Sequence, residues 1–246
     1  MDIFPAIDLR NGECVRLAQG AFDRVTVYEK DPLLQAKRFH GEGAAWLHVV
    51  DLDGAKAGAP QQAEIISALA MQSGLAVQAG GGVRETAHIE TLLGAGVRRV
   101  IIGSLAVTDP QRVKEWFEKF GAEKIVLAFD VRLNDGAPEI MLHGWQSGSG
   151  QNLFSCLENY LEDGLRTVLC TDITRDGMMT GGNTALYQSI LQRFPQLDLL
   201  ASGGVGTLQD IADIRSTGAA GAIVGKALYE NRFTLRQALA EAHDAR

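Results

Sequence analysis

Two aspartates, Asp8 and Asp130, each stand at the end of a short apolar run, residues 4–7 and 126–129. A carboxylate at the end of a buried strand is costly unless it has a partner or takes part in chemistry. Two carboxyl groups whose surroundings separate their pKa values can serve as a general base and a general acid. We therefore predict that Asp8 and Asp130 form an acid–base pair.

Asp51 and Asp172 also end apolar runs. For these two residues, a structural role as a loop cap or an arginine partner is as well supported as a chemical role. The sequence leaves that choice open.

Glycine clusters follow four of the apolar runs. Gly80-Gly81-Gly82 and Ser202-Gly203-Gly204 come directly after a run, and Gly103-Ser104 and Gly225-Lys226 open the segments that follow the next runs. Glycine lets backbone N–H groups converge on an anion, and a helix start adds a favourable dipole. Tight turns are the alternative explanation for any one cluster. Because the arrangement occurs twice, it favours two phosphate sites and a ligand with phosphate at both ends.

A polar segment, residues 171–177, follows another apolar run. Thr171 is a candidate hydrogen-bond donor to a reacting hydroxyl, and Arg175 or Asp176 could order the loop. A solvated turn that ends at Gly177 explains the same residues equally well.

Two further loops are candidate lids. Trp145 lies within a glycine-rich stretch, where an aromatic ring either stacks on a flat part of the substrate or plugs the rim of the fold. We favour stacking, because flanking glycines permit movement. Arg16 and Gln19-Gly20 lie in a long loop after the first apolar run, which is a second possible lid.

These residues need a scaffold of alternating strands and helices. Apolar runs predict strands at residues 3–8, 45–52, 76–78, 99–103, 124–131, 167–172, 198–202 and 222–225. Helical periodicity predicts helices at residues 32–41, 61–72, 85–95, 110–120, 153–163, 184–193, 208–216 and 235–243. Eight such units in 246 residues favour a (β/α)8 TIM barrel. A doubly wound open sheet is the competing fold, but no GxGxxG motif follows the first strand.

The chain contains a weak internal duplication. Asp130 lies 122 residues after Asp8 (130 − 8), and Gly204 lies 122 residues after Gly82 (204 − 82). We predict a single barrel domain built from two (β/α)4 halves, residues 1–121 and 122–246. Active sites of such barrels lie at the carboxyl ends of the strands. The duplication is then expected to place Asp8 and Asp130 opposite each other.

Composition excludes several classes of function. The chain carries 23 basic and 30 acidic residues, a net charge of −7, which argues against broad binding of nucleic acid or anionic membranes. Three scattered cysteines suggest reduced thiols, and the five histidines show no metal-ligand spacing. We expect a cytoplasmic protein without a signal peptide or membrane span, with no cofactor or metal and a monomeric state.

The motifs as a group resemble the ProFAR isomerase family of histidine biosynthesis along nearly the whole chain. The matching stretches are PAIDLRNGECVRL, LHVVDLDGA, VQAGGGVR, VIIGSLAV, LAFDVR, GWQ, LCTDITRDGM, ASGGVG and AIVGKAL. The resemblance implies a cofactor-free Amadori rearrangement of an aminoaldose carrying two phosphates into an aminoketose.

The resemblance also implies roles for individual residues. Asp8 matches the base that takes the proton from the sugar C2, and Asp130 matches the acid that assists ring opening. Thr171 and Asp176 match supporting positions, and Trp145 matches an aromatic that stacks on the imidazole. The positions that match substrate and phosphate contacts, together with those that we assign from the loops and glycine clusters, are Arg16, Gly20, Gly81, Gly82, Gly103, Ser104, Gly177, Ser202, Gly203, Gly204, Gly225 and Lys226. Lys226 stands where arginine is more usual, and it can bind phosphate only as a point charge.

Three alternatives remain. The related cyclase that makes imidazole glycerol phosphate shares the duplication, both aspartates and both glycine pairs. Arg16 stands where that cyclase has a catalytic lysine, which favours the isomerase. A bifunctional isomerase that also accepts phosphoribosylanthranilate, and a non-catalytic sensor of a bisphosphate, are the other two.

Overall fold

The computed structural model describes residues 1–18, 21–134, 136–142, 144–145 and 147–243. The strands are β1 (Asp2–Arg10), β2 (Glu13–Ala18), β3 (Ala21–Glu29), β4 (Trp46–Asp51), β5 (Ala76–Gly80), β6 (Arg99–Ile102), β7 (Ile125–Asn134), β8 (Ala137–Leu142), β9 (Ser147–Asn152), β10 (Thr167–Asp172), β11 (Asp198–Ser202) and β12 (Gly221–Val224). The helices are α1 (Pro32–Gly41), α2 (Leu52–Ala57), α3 (Ala63–Gln72), α4 (Thr86–Gly94), α5 (Leu105–Thr108), α6 (Pro110–Phe120), α7 (Leu153–Leu161), α8 (Thr184–Arg193), α9 (Leu208–Ser216), α10 (Lys226–Tyr229) and α11 (Leu235–His243), with a 3-10 turn at Ala122–Lys124.

The fold is the (β/α)8 barrel that the sequence predicts. All eight expected parallel strands are present as β1, β4, β5, β6, β7, β10, β11 and β12, and helices alternate with them along the chain. Every residue of β10 is buried, as is typical of a parallel strand that is covered on both faces. The structure therefore confirms the fold class.

Two of the predicted helix starts are confirmed in detail. The Asp31 carboxylate accepts the N–H of Leu34 at 3.0 Å, and Asp109 accepts the N–H of Arg112 at 3.3 Å. In each case a proline occupies the first turn, where its missing N–H has no cost. No helix in the described part of the chain is long and apolar enough to cross a membrane.

The chain divides into two compact units. The first unit comprises Asp2–Ile101 with Ile223–Arg246, and the second comprises Ile102–Ala222 with Met1. In the first unit, register-paired residues of the parallel strands form two rows. The lower row consists of Ala6, His48, Gln78 and Arg99. The upper row, one pleat nearer the carboxyl ends, consists of Asp8, Val50, Gly80 and Ile101.

The second unit contains rows at the equivalent positions of the duplication. Its lower row consists of Ala128, Leu169, Leu200 and Gly221. Its upper row contains Asp130, Thr171 and Ser202. Side chains two residues apart on a strand share a face, so each upper-row residue lies directly beyond a lower-row residue.

Two antiparallel hairpins were not predicted. Residues expected to form a long loop after the first strand instead form β2 and β3, and β2 pairs with the end of β1. The turn is Asn11-Gly12, with φ of +49° and +82°, which is the residue pair that a two-residue hairpin turn prefers. β8 and β9 extend β7 in the same way. Both hairpins continue a barrel strand beyond the length that apolar patterning marks.

Gly81 fits the backbone of the preceding loop so closely that a side chain is excluded. Its φ is +117°, and a Cβ at this position would overlap the carbonyl oxygen of Asp51. The glycine after β5 is therefore required by the contact between two neighbouring loops, whatever ligand it also binds.

We predict that Gly81→Ala lowers the free energy of unfolding by about 3 kcal/mol or more, because left-handed strain and overpacking add. Gly136→Ala is the matched control, since Gly136 has φ of +81° and open space around it. That variant should lose only about 1–2 kcal/mol. Urea unfolding of both proteins makes the comparison, and equal losses would contradict the steric explanation.

Candidate active site

Asp130 is a half-buried carboxyl group held by two donors. The indole Nε1 of Trp145 donates to Asp130 Oδ2 at 2.8 Å, and Thr171, its register neighbour on β10, also hydrogen-bonds its carboxyl group. Burial raises the pKa of Asp130, the two hydrogen bonds oppose that shift, and the negative charge of Asp176 adds to it. The net direction is upward, which suits a carboxyl group that carries a proton.

Trp145 adopts an unusual backbone conformation. It lies between β8 and β9 with φ of +73°, in a region that bulky residues rarely occupy. Such strain is commonly found where the surrounding structure needs a side chain in one place. Here the backbone aims the indole N–H at Asp130, so the residue predicted as an aromatic lid also contacts the predicted acid.

Asp172 organises the loop that follows β10. Its carboxylate accepts hydrogen bonds from the backbone N–H and hydroxyl of Thr174 and from the amide of Asn183. Arg175 lies 3.7 Å from the same carboxylate and donates to the Gly181 carbonyl. These bonds use both carboxylate oxygens, which favours the structural role for Asp172 over a chemical one.

Asp51 organises the loop that follows β4 in the first unit. It is 1% exposed and accepts the backbone N–H groups of Gly54 at 2.7 Å, Gln61 at 2.6 Å and Gln62 at 2.9 Å. Three donors to one carboxylate compensate for the cost of burying it. Asp51 therefore fixes the course of the loop between β4 and α3.

Asp8 has a different partner from Asp130. The guanidinium of Arg16, on β2, lies 2.8 Å from Asp8 Oδ2, and both side chains are less than one fifth exposed. The unpredicted hairpin is what brings Arg16 there, because β2 pairs directly with β1. A guanidinium at this distance stabilises the ionised form of a carboxylate.

The glycine clusters divide into two kinds. A Cβ on Gly82 would overlap the carbonyl oxygen of Gly54, and a Cβ on Gly204 that of Gly181, so loop contacts alone require these glycines. Gly103 is different, since its nearest obstacle is the Ala128 carbonyl oxygen at 3.9 Å. This glycine leaves open space for an approaching ligand.

Gly225 faces a movable group. The atoms nearest to its missing side chain belong to the guanidinium of Arg16, the flexible end of a long side chain. Lys226 begins α10 beside it, with its ammonium 3.7 Å from Glu230. The side chain of Arg16 thus pairs with Asp8 and occupies the space that a side chain at Gly225 would need.

The remaining predicted residues are placed as follows. Ser104 precedes α5 without capping it through its side chain, Gly177 has φ of +70°, and Ser202 ends β11 beside Thr171. Gly203 lies against the Asp172 carbonyl oxygen. Gly20 falls outside the described residues.

Three functional candidates were missed by sequence reasoning. His48 and Gln78 form a buried hydrogen-bonded pair on β4 and β5, and Asn183 holds Asp172. A signal for the first two was present in the duplication. Its offset is 121 between Asp51 and Asp172 (172 − 51), which makes Leu169 the equivalent of His48. The offset is 122 at the glycines, which makes Leu200 the equivalent of Gln78. A polar pair in one half and an apolar pair in the other calls for an explanation.

The chain matches the sequence profile of the histidine biosynthesis protein family over residues 2–234. A protein of Francisella philomiragia subsp. philomiragia is 52% identical over 239 residues, covering 97% of this chain and 99% of that protein. A protein of Elusimicrobium minutum is 49% identical with the same coverage, and one of Shewanella putrefaciens is 48% identical over 96% of this chain and 97% of that protein.

All three relatives carry the name 1-(5-phosphoribosyl)-5-((5-phosphoribosylamino)methylideneamino)imidazole-4-carboxamide isomerase. The profile covers every strand of the barrel, and the relatives cover 96–97% of the chain. The chain belongs to the histidine biosynthesis protein family.

Proposed function

We propose that this protein is the isomerase for which its relatives are named, and that it converts the aminoaldose ProFAR into the aminoketose PRFAR by an Amadori rearrangement. The observation that carries the proposal is the contrast between the surroundings of Asp8 and Asp130. The carboxylate of Asp8 is paired with a guanidinium, whereas the carboxyl group of Asp130 has neutral donors and a raised pKa. An isomerisation that both removes and supplies protons needs groups in these two states.

In the proposed reaction, Asp130 acts first as the general acid. It gives its proton to the furanose ring oxygen, the C1–O bond breaks, and the amine nitrogen stabilises the open form as an imine. Asp8 then removes the proton from C2 to give an enolamine. Return of a proton to C1 and loss of the enol proton yield the ketone, so no atoms are gained or lost overall.

Supporting residues bind or orient the substrate. Thr171 and Asp176 adjust the protonation of Asp130, and Trp145 stacks on the imidazole while its N–H holds Asp130. Phosphate contacts are proposed for backbone N–H groups and short or cationic side chains at Arg16, Gly20, Gly81, Gly82, Gly103, Ser104, Gly177, Ser202, Gly203, Gly204, Gly225 and Lys226. Gly103 supports this assignment most directly, because no loop contact requires a glycine there.

The proposal includes the setting in which the enzyme works. We expect a cytoplasmic monomer that acts on a small bisphosphate without a cofactor and binds neither nucleic acid nor membranes. The net charge of −7 supports the exclusion of polyanionic partners.

The direct test is to supply ProFAR to the purified protein with and without ammonia. We expect PRFAR to form at the same rate in both samples, as followed by chromatographic separation of substrate and product. Consumption of substrate only with ammonia would contradict the isomerase proposal and favour the cyclase. Parallel assays with phosphoribosylanthranilate decide whether a second substrate is accepted.

We predict that Asp8→Asn and Asp130→Asn each lower kcat by about 10²–10⁴-fold, because each removes one proton-transfer group. Product binding, measured by calorimetry, should persist in both variants. Asp198→Asn is the control, since it breaks only an exposed ion pair with Arg166 and should leave kcat unchanged. Near-normal turnover in either active-site variant would remove that residue from the mechanism.

We predict that Trp145→Phe shifts the pH profile of kcat/KM. The indole N–H stabilises ionised Asp130, so its loss raises the pKa of that carboxyl group further. A general acid is active while protonated, and the alkaline limb of the profile should therefore move to higher pH. A limb that stays in place or moves to lower pH would show that this hydrogen bond does not act on the acid.

A further inference from the structure

A buried polar pair lies one row below Asp8. His48 is 7% exposed and Gln78 is 0% exposed, and the amide nitrogen of Gln78 lies 3.0 Å from His48 Nδ1. Both belong to the lower row of the first unit, on the face that carries Asp8. Neither residue has a role in the acid–base chemistry proposed above.

The barrel does not need polar residues at these positions. The duplication places Leu169 and Leu200 at the equivalent points of the second unit, where they are 5% and 2% exposed. Leucine therefore fills the lower row of one half satisfactorily. A buried histidine and glutamine in the other half carry a desolvation cost that leucine does not.

Part of that cost is uncompensated. Among the described residues, Gln78 Oε1 has no hydrogen-bond partner, although the side chain is wholly buried. An orphaned buried acceptor loses its hydrogen bonds to water on folding and gains none in return. A residue kept at such a cost, where leucine would fit, points to a requirement other than folding.

The hydrogen bond fixes the position of the imidazole proton. An amide nitrogen can only donate, so His48 Nδ1 accepts, and the single proton of the neutral ring is on Nε2. Burial, together with the charges of Arg16 and Arg99, lowers the pKa of His48 to about 3. The ring therefore stays neutral and remains a donor throughout the working pH range.

The charge of the ion pair at Asp8 reaches His48. Arg16, whose guanidinium binds Asp8 at 2.8 Å, is one of the two cations whose charge reaches His48. The other, Arg99, lies with its guanidinium 4.1 Å from the ring centre of Trp46, a cation–π contact.

We propose that Gln78 is a positioning residue which keeps hydrogen on His48 Nε2, so that His48 donates a hydrogen bond to an uncharged substrate oxygen near the carbon at which Asp8 acts. This inference rests on the proposed isomerase function and extends it to two further residues. A neutral donor suits the position, because a cationic ring would compete with Arg16 for the Asp8 carboxylate. Apolar residues suffice in the second unit, where Trp145 and Thr171 supply the donors to Asp130.

The tautomer is tested by ¹⁵N NMR of histidine-labelled protein, with the His48 signals identified by their loss in His48→Leu. We expect hydrogen on Nε2 and no titration of His48 between about pH 5 and 8. In Gln78→Glu the carboxylate accepts a proton from Nδ1, so the tautomer should reverse. Hydrogen on Nδ1 in the unmodified protein would overturn the proposal, and this arm requires no turnover.

The kinetic arm uses Gln78→Leu and Gln78→Glu. Each should lower kcat/KM for ProFAR by about tenfold, the effect of losing one well-placed hydrogen bond. The double variant His48→Leu/Gln78→Leu places at these two positions the leucines that the second unit has, while Arg99 stays in the row. It should unfold at the same or a higher temperature, with the same kinetic loss. Unchanged kcat/KM in all three would overturn the proposal.

Val77→Ala is the matched control for general loosening. Val77 is fully buried next to Gln78 and points to the opposite face of β5. Its truncation should lower the unfolding temperature through a cavity while kcat/KM stays unchanged. If the unmodified protein fails to isomerise ProFAR, the proposed function is wrong, whereas normal turnover with insensitive Gln78 variants contradicts only this inference.

Discussion

The site depends on two buried carboxylates, each of which ends a strand and accepts hydrogen bonds from the loop that follows it. Asp51 and Asp172 accept donors from the residues after them, and in each loop one donor comes from the position 11 residues further on. Without such bonds, the backbone N–H groups of a loop between strand and helix would be open to water and the loop would sample many conformations. The carboxylates thus hold in place the backbone of Asp51 and Asp172, and Gly81 and Gly203 fit against the carbonyl oxygens of those two residues.

The same residue type at the same kind of position serves two purposes. Asp8, Asp51, Asp130 and Asp172 all end the apolar run of a parallel strand, so hydrophobic patterning predicts the placement of all four and distinguishes none. What separates them is the set of donors around each carboxylate. Backbone N–H groups surround Asp51, whereas a guanidinium or an indole from a separate hairpin reaches Asp8 and Asp130. Those contacts join parts of the chain that local patterns do not connect.

Strands and helices were therefore predictable where one face is continuously apolar, and several helix bounds agree to the residue, as at Pro110–Phe120. The hairpins were not, because β2 and β3 extend beyond the barrel and carry exposed valines such as Val27. Asn11-Gly12 was a usable signal for the first hairpin. Because this turn was not predicted, the pairing of Arg16 with Asp8 was not predicted either. Arg16 itself was among the predicted residues.

An internal duplication gives a control that most single chains lack. Where both halves keep the same residue type, as with the glycines at Gly82 and Gly204, a shared packing requirement explains it. Where they differ at a buried position, both residue types are compatible with the fold. A requirement other than folding must then explain the difference. By this reasoning the leucines of the second unit are as informative about His48 and Gln78 as the contacts of those residues themselves. A symmetric scaffold can bind an asymmetric substrate only through such differences.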